Sequence, residues 1–383
     1  MHPQPGSVFM YKYARLFALS YVFIIAAFLS TFENRIDHQG NAIGTDFIAF
    51  WSAGYLANQD TPEKSYEPEQ IYKASKIAVP ANKNQYVWSY PPPFFFVTQQ
   101  LAKLPYLAAL SIWSLTGLFG YLFVIHKLHP IPDNLWLSAG FFPVFINFLQ
   151  GQNGFLSTIL LAGAFYNLTS RPVIAGILIG LLSYKPQLGL IIPLALLAGR
   201  YYLVFISATA TILTINALAF MSFGFATYQA FFYNLKNAHA LIDQGLLPLY
   251  KMPSFFAALR FHGIHSTIAL SLHILIGLVV AIMTVYVWRR SISLELKIST
   301  LILGSLVVPH HLNDYDLTLL IIPIVFLVKN AATNGWLRNE KIILSLAWFS
   351  PIIMVVDYTL LNIQIEPFLI FIFFVFSVWR TSF

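Results

Sequence analysis

The chain has no cysteine among its 383 residues, so a disulfide framework, a thiolate metal site and a cysteine nucleophile are all excluded. Charge is scarce as well, with Asp, Glu, Lys and Arg together making up 10% of the residues. No P-loop, GxSxG elbow or HExxH helix occurs, which removes the common phosphate-cradling, serine-hydrolase and zinc-protease signatures. No internal repeat, low-complexity tract or soluble domain is evident. Hydrophobic residues account for 58% and aromatic ones for 16%, and the mean hydropathy is +0.69. These values lie outside soluble globular usage and inside the polytopic membrane class. The net charge of +7 does not imply a nucleic-acid partner, because the basic residues stand singly at the ends of apolar runs and form no stripe.

Apolar runs of spanning or slightly shorter length predict about twelve transmembrane helices, within 10 to 13, in an all-α single domain over 1–383. The runs are 13–31, 106–126, 133–149, 153–169, 172–184, 186–198, 201–223, 264–288, 294–309, 315–329, 342–357 and 364–380. The pair 172–184 and 186–198, split by "YKPQ", reads as two short spans or as a re-entrant hairpin. The first run is too long for a signal peptide and lacks a small-x-small cleavage site, which predicts a retained span. Lys and Arg in short loops place both termini in the cytoplasm (Lys12, Arg15, Lys127, Arg171, Arg200, Arg289, Arg290, Lys297, Lys329, Arg338, Lys341 and Arg380). Most carboxylates then fall on the outer side, in loops 32–105 and 224–263 and in short turns. In a bacterium that side is the periplasm and the membrane is the inner one.

Five polar features lie on that outer side. In "GTDFIAFWSAGYL", Asp46 precedes aromatic residues at helical spacing, which predicts an interfacial helix with its apolar face in lipid. Asp46 itself reads either as a helix cap or as a general base for an alcohol. "LQGQNGF" offers Gln152 and Asn153, amides that turn a corner or bond sugar hydroxyls. "LLSYKPQLGL" encloses Lys185 between apolar runs, either as a cation at a helix C-terminus or as a partner for phosphate. "PHHLNDYDL" crowds His310, His311, Asn313, Asp314, Tyr315 and Asp316 at a boundary, as a substrate-orienting network, a solvated turn or, least favoured, a metal site. The loop 224–263 holds Tyr228, Lys236, His239, Asp243, Lys251 and Arg260 and reads mostly as ordinary surface.

Taken in order, these features resemble glycosyltransferase family 87, the polyprenyl-phosphate-mannose-dependent membrane mannosyltransferases of GT-C type. The matching elements are Asp46 with Trp51 and Ala53, Tyr66 ahead of Tyr90-Pro91-Pro92, Gly151-Gln152, Lys185-Pro186 and Tyr315-Asp316-Leu317. The resemblance implies an inverting hexose transfer, mannose by default, from a polyprenyl-phosphate donor to a hydroxyl of a lipid-linked or envelope glycan. It implies no cofactor and no metal. Asp46 matches the family's first-loop aspartate, the expected base. Lys185, Arg260, His310 and His311 are candidates for the donor phosphate, and Gln152, Asn153, Tyr90, Tyr315 and Asp316 for sugar or acceptor. A transporter or flippase of lipid-linked sugars, or a polymerase or ligase of undecaprenyl-linked glycans, is the alternative.

Overall fold

The computed structural model describes residues 7–243 and 248–383, with side chains described from 13 to 236 and from 248 onward. His239 and Asp243 of the second expected outer loop lie outside the described side chains. The described residues form seventeen α-helices joined by short 3-10 and π turns, with isolated β-bridges and no strand. Five helices are long and apolar enough to cross a membrane: Tyr106–Leu128, Tyr202–Lys236, Ser266–Arg289, Asp314–Asn334 and Glu340–Leu361. Shorter apolar helices, among them Tyr13–Leu29 and Gly154–Asn167, fill the gaps between them. Spanning helices expose Phe119, Phe123, Leu213, Met221 and Ile282, as lipid-facing surfaces should. Asp314–Asn334 is the exception, since most of its side chains are buried by other helices.

Several expected spans are broken by residues that cannot continue a helix. The 133–149 run is two helices, Pro132–Ala139 and Phe142–Gln150, parted at Gly140, where a Cβ would lie 2.1 Å from the Ala14 carbonyl oxygen. That close approach lets the first helix cross there, and it requires glycine. Residues 172–198 form Pro172–Leu181 and Ile192–Ala198, with 3-10 turns Leu182–Tyr184 and Pro186–Gly189 between them. Pro186 opens the second 3-10 turn, where its fixed φ and missing N–H are harmless.

The helix from Tyr202 runs on to Asp243, through a non-helical Gly224 at φ 75°. Residues 225–243 are thus helical, not loop. The Tyr228 hydroxyl donates back across the break to the Asn216 carbonyl at 3.0 Å, fixing the bend. Beyond it Asn234 donates to the Trp88 carbonyl at 2.9 Å, and Phe231 meets Tyr66.

The first expected outer loop, 32–105, is a packed subdomain. Asp37 starts it, its carboxylate accepting from the Gln39 and Asn41 amides at 2.9 and 2.8 Å. Prolines lead Pro62–Tyr66, Pro68–Ala78 and Pro92–Phe94, where a missing N–H and a fixed φ are harmless. Helix Phe47–Asn58 is buried on nearly every face, Phe47, Ile48, Phe50, Trp51 and Ala53 included. This overturns the interfacial reading: Phe50 is ringed edge-on by Trp88, Tyr90, Phe94 and Trp113, not by lipid. At Gly54 a Cβ would stand 2.0 Å from the Thr98 carbonyl oxygen, so helices Phe47–Asn58 and Phe95–Leu101 touch backbone to backbone.

Candidate functional site

Asp46 stands at the N-cap position of Phe47–Asn58, with φ −93° and ψ −22°. Its side chain caps nothing. The carboxylate turns away, and Oδ2 accepts from Gln152 Nε2 at 2.9 Å. The capping reading of this aspartate is therefore corrected: the position is that of a cap, but the acceptor is aimed elsewhere.

The turn that carries Gln152 is built to meet it. Helix Phe142–Gln150 ends on left-handed Gly151, φ 63°, where a Cβ would lie 2.6 Å from the Phe47 Cβ. The Asp46 amide donates to the Gln150 carbonyl at 3.1 Å, locking turn and helix start together. Trp113 Nε1 donates to the Gly151 carbonyl at 3.0 Å. Gln152 Oε1 accepts from the Asn153 amide at 3.2 Å, which leaves its NH2 group directed at Asp46. Next, Gly154 sits so close to the Tyr315 carbonyl, 2.3 Å from where a Cβ would be, that only glycine fits.

Lys185 and Asp316 are brought together across 131 residues, Nζ to Oδ1 at 2.5 Å, with side chains 2% and 0% exposed. The Lys185 ammonium also lies 4.5 Å from the centroid of the Tyr315 ring. Asp316 Oδ2 in turn accepts from the Asn313 amide at 3.2 Å, closing a capping box at the start of Asp314–Leu320. The cation expected at the donor phosphate is thus already neutralised by a buried carboxylate.

Between the two pairs stand tyrosines and an open amide. Tyr90 is fixed through its backbone, which accepts from the Tyr66 hydroxyl at 2.8 Å, and its ring meets Phe94 and Tyr184. Its own hydroxyl lies beside Asn153 and Tyr315. Burial, with Asp316 and Asp46 nearby, pushes the Tyr90 hydroxyl well above the usual phenol range, so it stays a proton donor. Asn153 is fully buried, yet neither atom of its amide has a partner of good geometry among the described residues. Buried amides left in this way are exceptions that call for a ligand or water. Tyr184 secures the Asn153 backbone, its hydroxyl donating to that carbonyl at 3.2 Å and meeting Ser157 Oγ at 2.7 Å.

Asp46 is half-buried, and burial raises its carboxyl above the ordinary aspartate value. The Gln152 hydrogen bond and the charge of Lys251 oppose that rise. Lys251 acts in the same sense on Asp314. Asp314 belongs to the polar cluster the sequence offers, whereas Lys251 was read as surface. Lys251 sits on the 3-10 turn Leu249–Lys251 within "PLYKMP", and its sequence context marks it as nothing but surface.

The remaining candidates lie differently. His310 presents its backbone carbonyl to Ser254 Oγ at 2.7 Å, while its ring packs edge-on to Phe256. Arg260 Nη1 donates to the Ile264 carbonyl at 3.0 Å, within its own loop. Among the described residues no group of three His, Asp or Glu is placed to hold a metal ion.

The model of glycosyltransferase family 87 matches residues 88–310, more than half of the chain. The matched stretch contains Tyr90, Gln152, Asn153, Lys185, Arg260 and His310, and the packing described above adds Asp46, Tyr315 and Asp316 to it from either side. No curated protein and no solved structure matches the chain. A membrane-embedded, all-helical chain with this match belongs to glycosyltransferase family 87, and is a glycosyltransferase.

Proposed function

We propose that the enzyme moves a hexose, mannose by default, from a polyprenyl-phosphate donor to a hydroxyl of a lipid-linked or envelope glycan. In this reading the chain has a GT-C fold of about twelve crossings, counting the short helices. It lies in a bacterial inner membrane with both termini cytoplasmic and the site on the periplasmic side. The observation that carries the reading is the Asp46 carboxylate: half-buried, held on one oxygen by Gln152, and engaged in no helix cap.

The chemistry follows from that carboxylate. Asp46 takes the proton of the acceptor hydroxyl as its oxygen forms the new bond to the anomeric carbon. The bond from that carbon to the phosphate oxygen breaks, and polyprenyl phosphate leaves with the electron pair. A single displacement inverts the anomeric configuration. Burial raises the affinity of Asp46 for a proton, which suits a base, while Gln152 keeps it ionised and aimed. Tyr90 and the open amide of Asn153 supply donors and an acceptor for sugar hydroxyls. The leaving group is already an anion, so a cation suffices and no metal is invoked.

The test is transfer of labelled mannose from polyprenyl-phosphate mannose by purified wild type and by Asp46→Asn, with and without EDTA. Asparagine still accepts from Gln152 but cannot take the proton, so the variant should fold normally and transfer nothing. Transfer at wild-type rate by Asp46→Asn removes Asp46 as the base, and bound but intact donor with wild type points to a carrier. Loss of wild-type activity in EDTA refutes metal independence.

A further inference from the structure

The chain beyond the family match contributes a clamp to this site. Helix Glu340–Val356 ends in a π turn, Asp357–Leu361, followed by left-handed Asn362 at φ 53°. Such turns are rare and recur at functional sites. Asp357 fixes the shape, one oxygen accepting from the Tyr358 amide at 2.7 Å and the other from the Ile365 amide at 2.8 Å. The fold so held delivers two side chains to one target. Gln364, 2% exposed, donates to the Leu249 carbonyl at 2.7 Å and to the Met252 carbonyl at 3.1 Å, thereby bracketing the turn Leu249–Lys251. Tyr358 stacks on Tyr250, with centroids 4.0 Å apart and planes 9° from parallel. On the far side Ser254 ties the same segment to His310 at 2.7 Å.

What this grip holds is Lys251. Among the described residues its ammonium makes no ion pair or hydrogen bond; the Ser254–His310 tie sets its segment beside the turn that leads into Asp314, and its charge favours the ionised forms of Asp314 and Asp46. Lys185 is the reverse case, its ammonium taken up by Asp316 and the Tyr315 ring. An incoming phosphate meets carboxylates at Asp46, Asp314 and Asp316, and needs a cation whose donors are open.

We infer that Lys251 is the cation that receives the phosphate of the lipid-linked donor, and that Gln364 and Tyr358 are positioning residues that hold it at the site. The inference rests on the polyprenyl-phosphate reading above and assigns its anion subsite to Lys251.

The experiment measures donor KM and kcat with polyprenyl-phosphate mannose for Lys251→Ala, Lys251→Arg, Gln364→Ala and Lys251→Ala/Gln364→Ala. Thermal stabilisation by polyprenyl phosphate alone is read in parallel. Loss of a charge-assisted contact predicts a donor KM roughly tenfold higher or more in Lys251→Ala, with kcat much less affected. Lys251→Arg should restore most of the loss. Gln364→Ala should raise KM several-fold, and the double variant should be no worse than Lys251→Ala, because Gln364 acts through the lysine. Unchanged donor KM and unchanged stabilisation in Lys251→Ala overturn the inference while leaving the donor reading intact. Additive losses in the double variant overturn the positioning role. A wild type that neither transfers from the donor nor is stabilised by polyprenyl phosphate overturns the donor reading and this inference with it.

Discussion

Replacing Gln152 by leucine removes the single hydrogen bond that orients the Asp46 carboxylate while keeping the volume of the side chain. The bond is 2.9 Å long, and the amide is oriented from behind by the Asn153 N–H at 3.2 Å. A hydrogen bond to a charged group contributes about 1.5–3 kcal/mol. If that stabilisation serves the transition state, kcat should fall roughly ten- to a hundredfold with KM little changed. The pH profile supplies a second reading. Burial raises the Asp46 carboxyl and Gln152 opposes the rise, so removing Gln152 raises it further. The base works only when ionised, hence the acid limb of kcat/KM should move to higher pH in Gln152→Leu. The assay is mannose transfer across a pH series with the purified, monodisperse variant. A normal kcat and an unmoved acid limb would refute the idea that Gln152 sets the base.

Other outcomes follow from the same geometry. Because the folded-state carboxyl of Asp46 is raised, its favourable contribution to stability exists below the ordinary aspartate pKa and is lost as pH rises through the raised value. Asp46→Asn should therefore melt no lower than wild type at neutral pH, and a clearly lower melting temperature would return Asp46 to a structural role. Breaking the Lys185–Asp316 pair on one side should destabilise by about 3–5 kcal/mol, whereas Lys185→Met/Asp316→Leu together should recover much of the loss, read by thermal unfolding in detergent. The cysteine-free chain permits single-cysteine labelling without background. Lys83→Cys should react with an impermeant maleimide in intact cells and Arg171→Cys only after permeabilisation, and the reverse pattern would invert the topology.

The sequence declared its solvent and its turns more readily than its contacts. Apolar runs, prolines at helix starts and Gly151 at a helix end are local signals, and each stands where its chemistry requires. The 133–149 run misled because hydropathy does not register a glycine demanded by a crossing backbone, here Ala14 against Gly140. Helix Phe47–Asn58 misled for a related reason: aromatic side chains suited to lipid are equally suited to one another, and composition does not say which surrounds them. At the site, Asp46 and Gln152 were both legible as polar residues among apolar ones, but their pairing is tertiary. Lys185 was legible as a buried cation, and its commitment to Asp316 was not. Lys251 was passed over because its importance comes from Gln364 and Tyr358, more than a hundred residues further on.

The Lys185–Asp316 pair also constrains how the protein is made. Each charge adjoins apolar helices, and an unpaired lysine or aspartate disfavours insertion by up to about 2.5–3.5 kcal/mol, the mid-span value, and by less near a boundary. The partners are separated by 131 residues, so at roughly 5–20 residues per second the lysine emerges about 7 to 26 s before the aspartate exists. During that interval residues 172–198 can be held only by their own short helices and by those already made, notably the neighbouring Gly154–Asn167. Closure of the pair is then a late, post-insertion event that joins the last third of the chain to the first half. A nascent chain that stalls before Asp316 carries a lysine without its partner, which distinguishes an unfinished chain from a finished one.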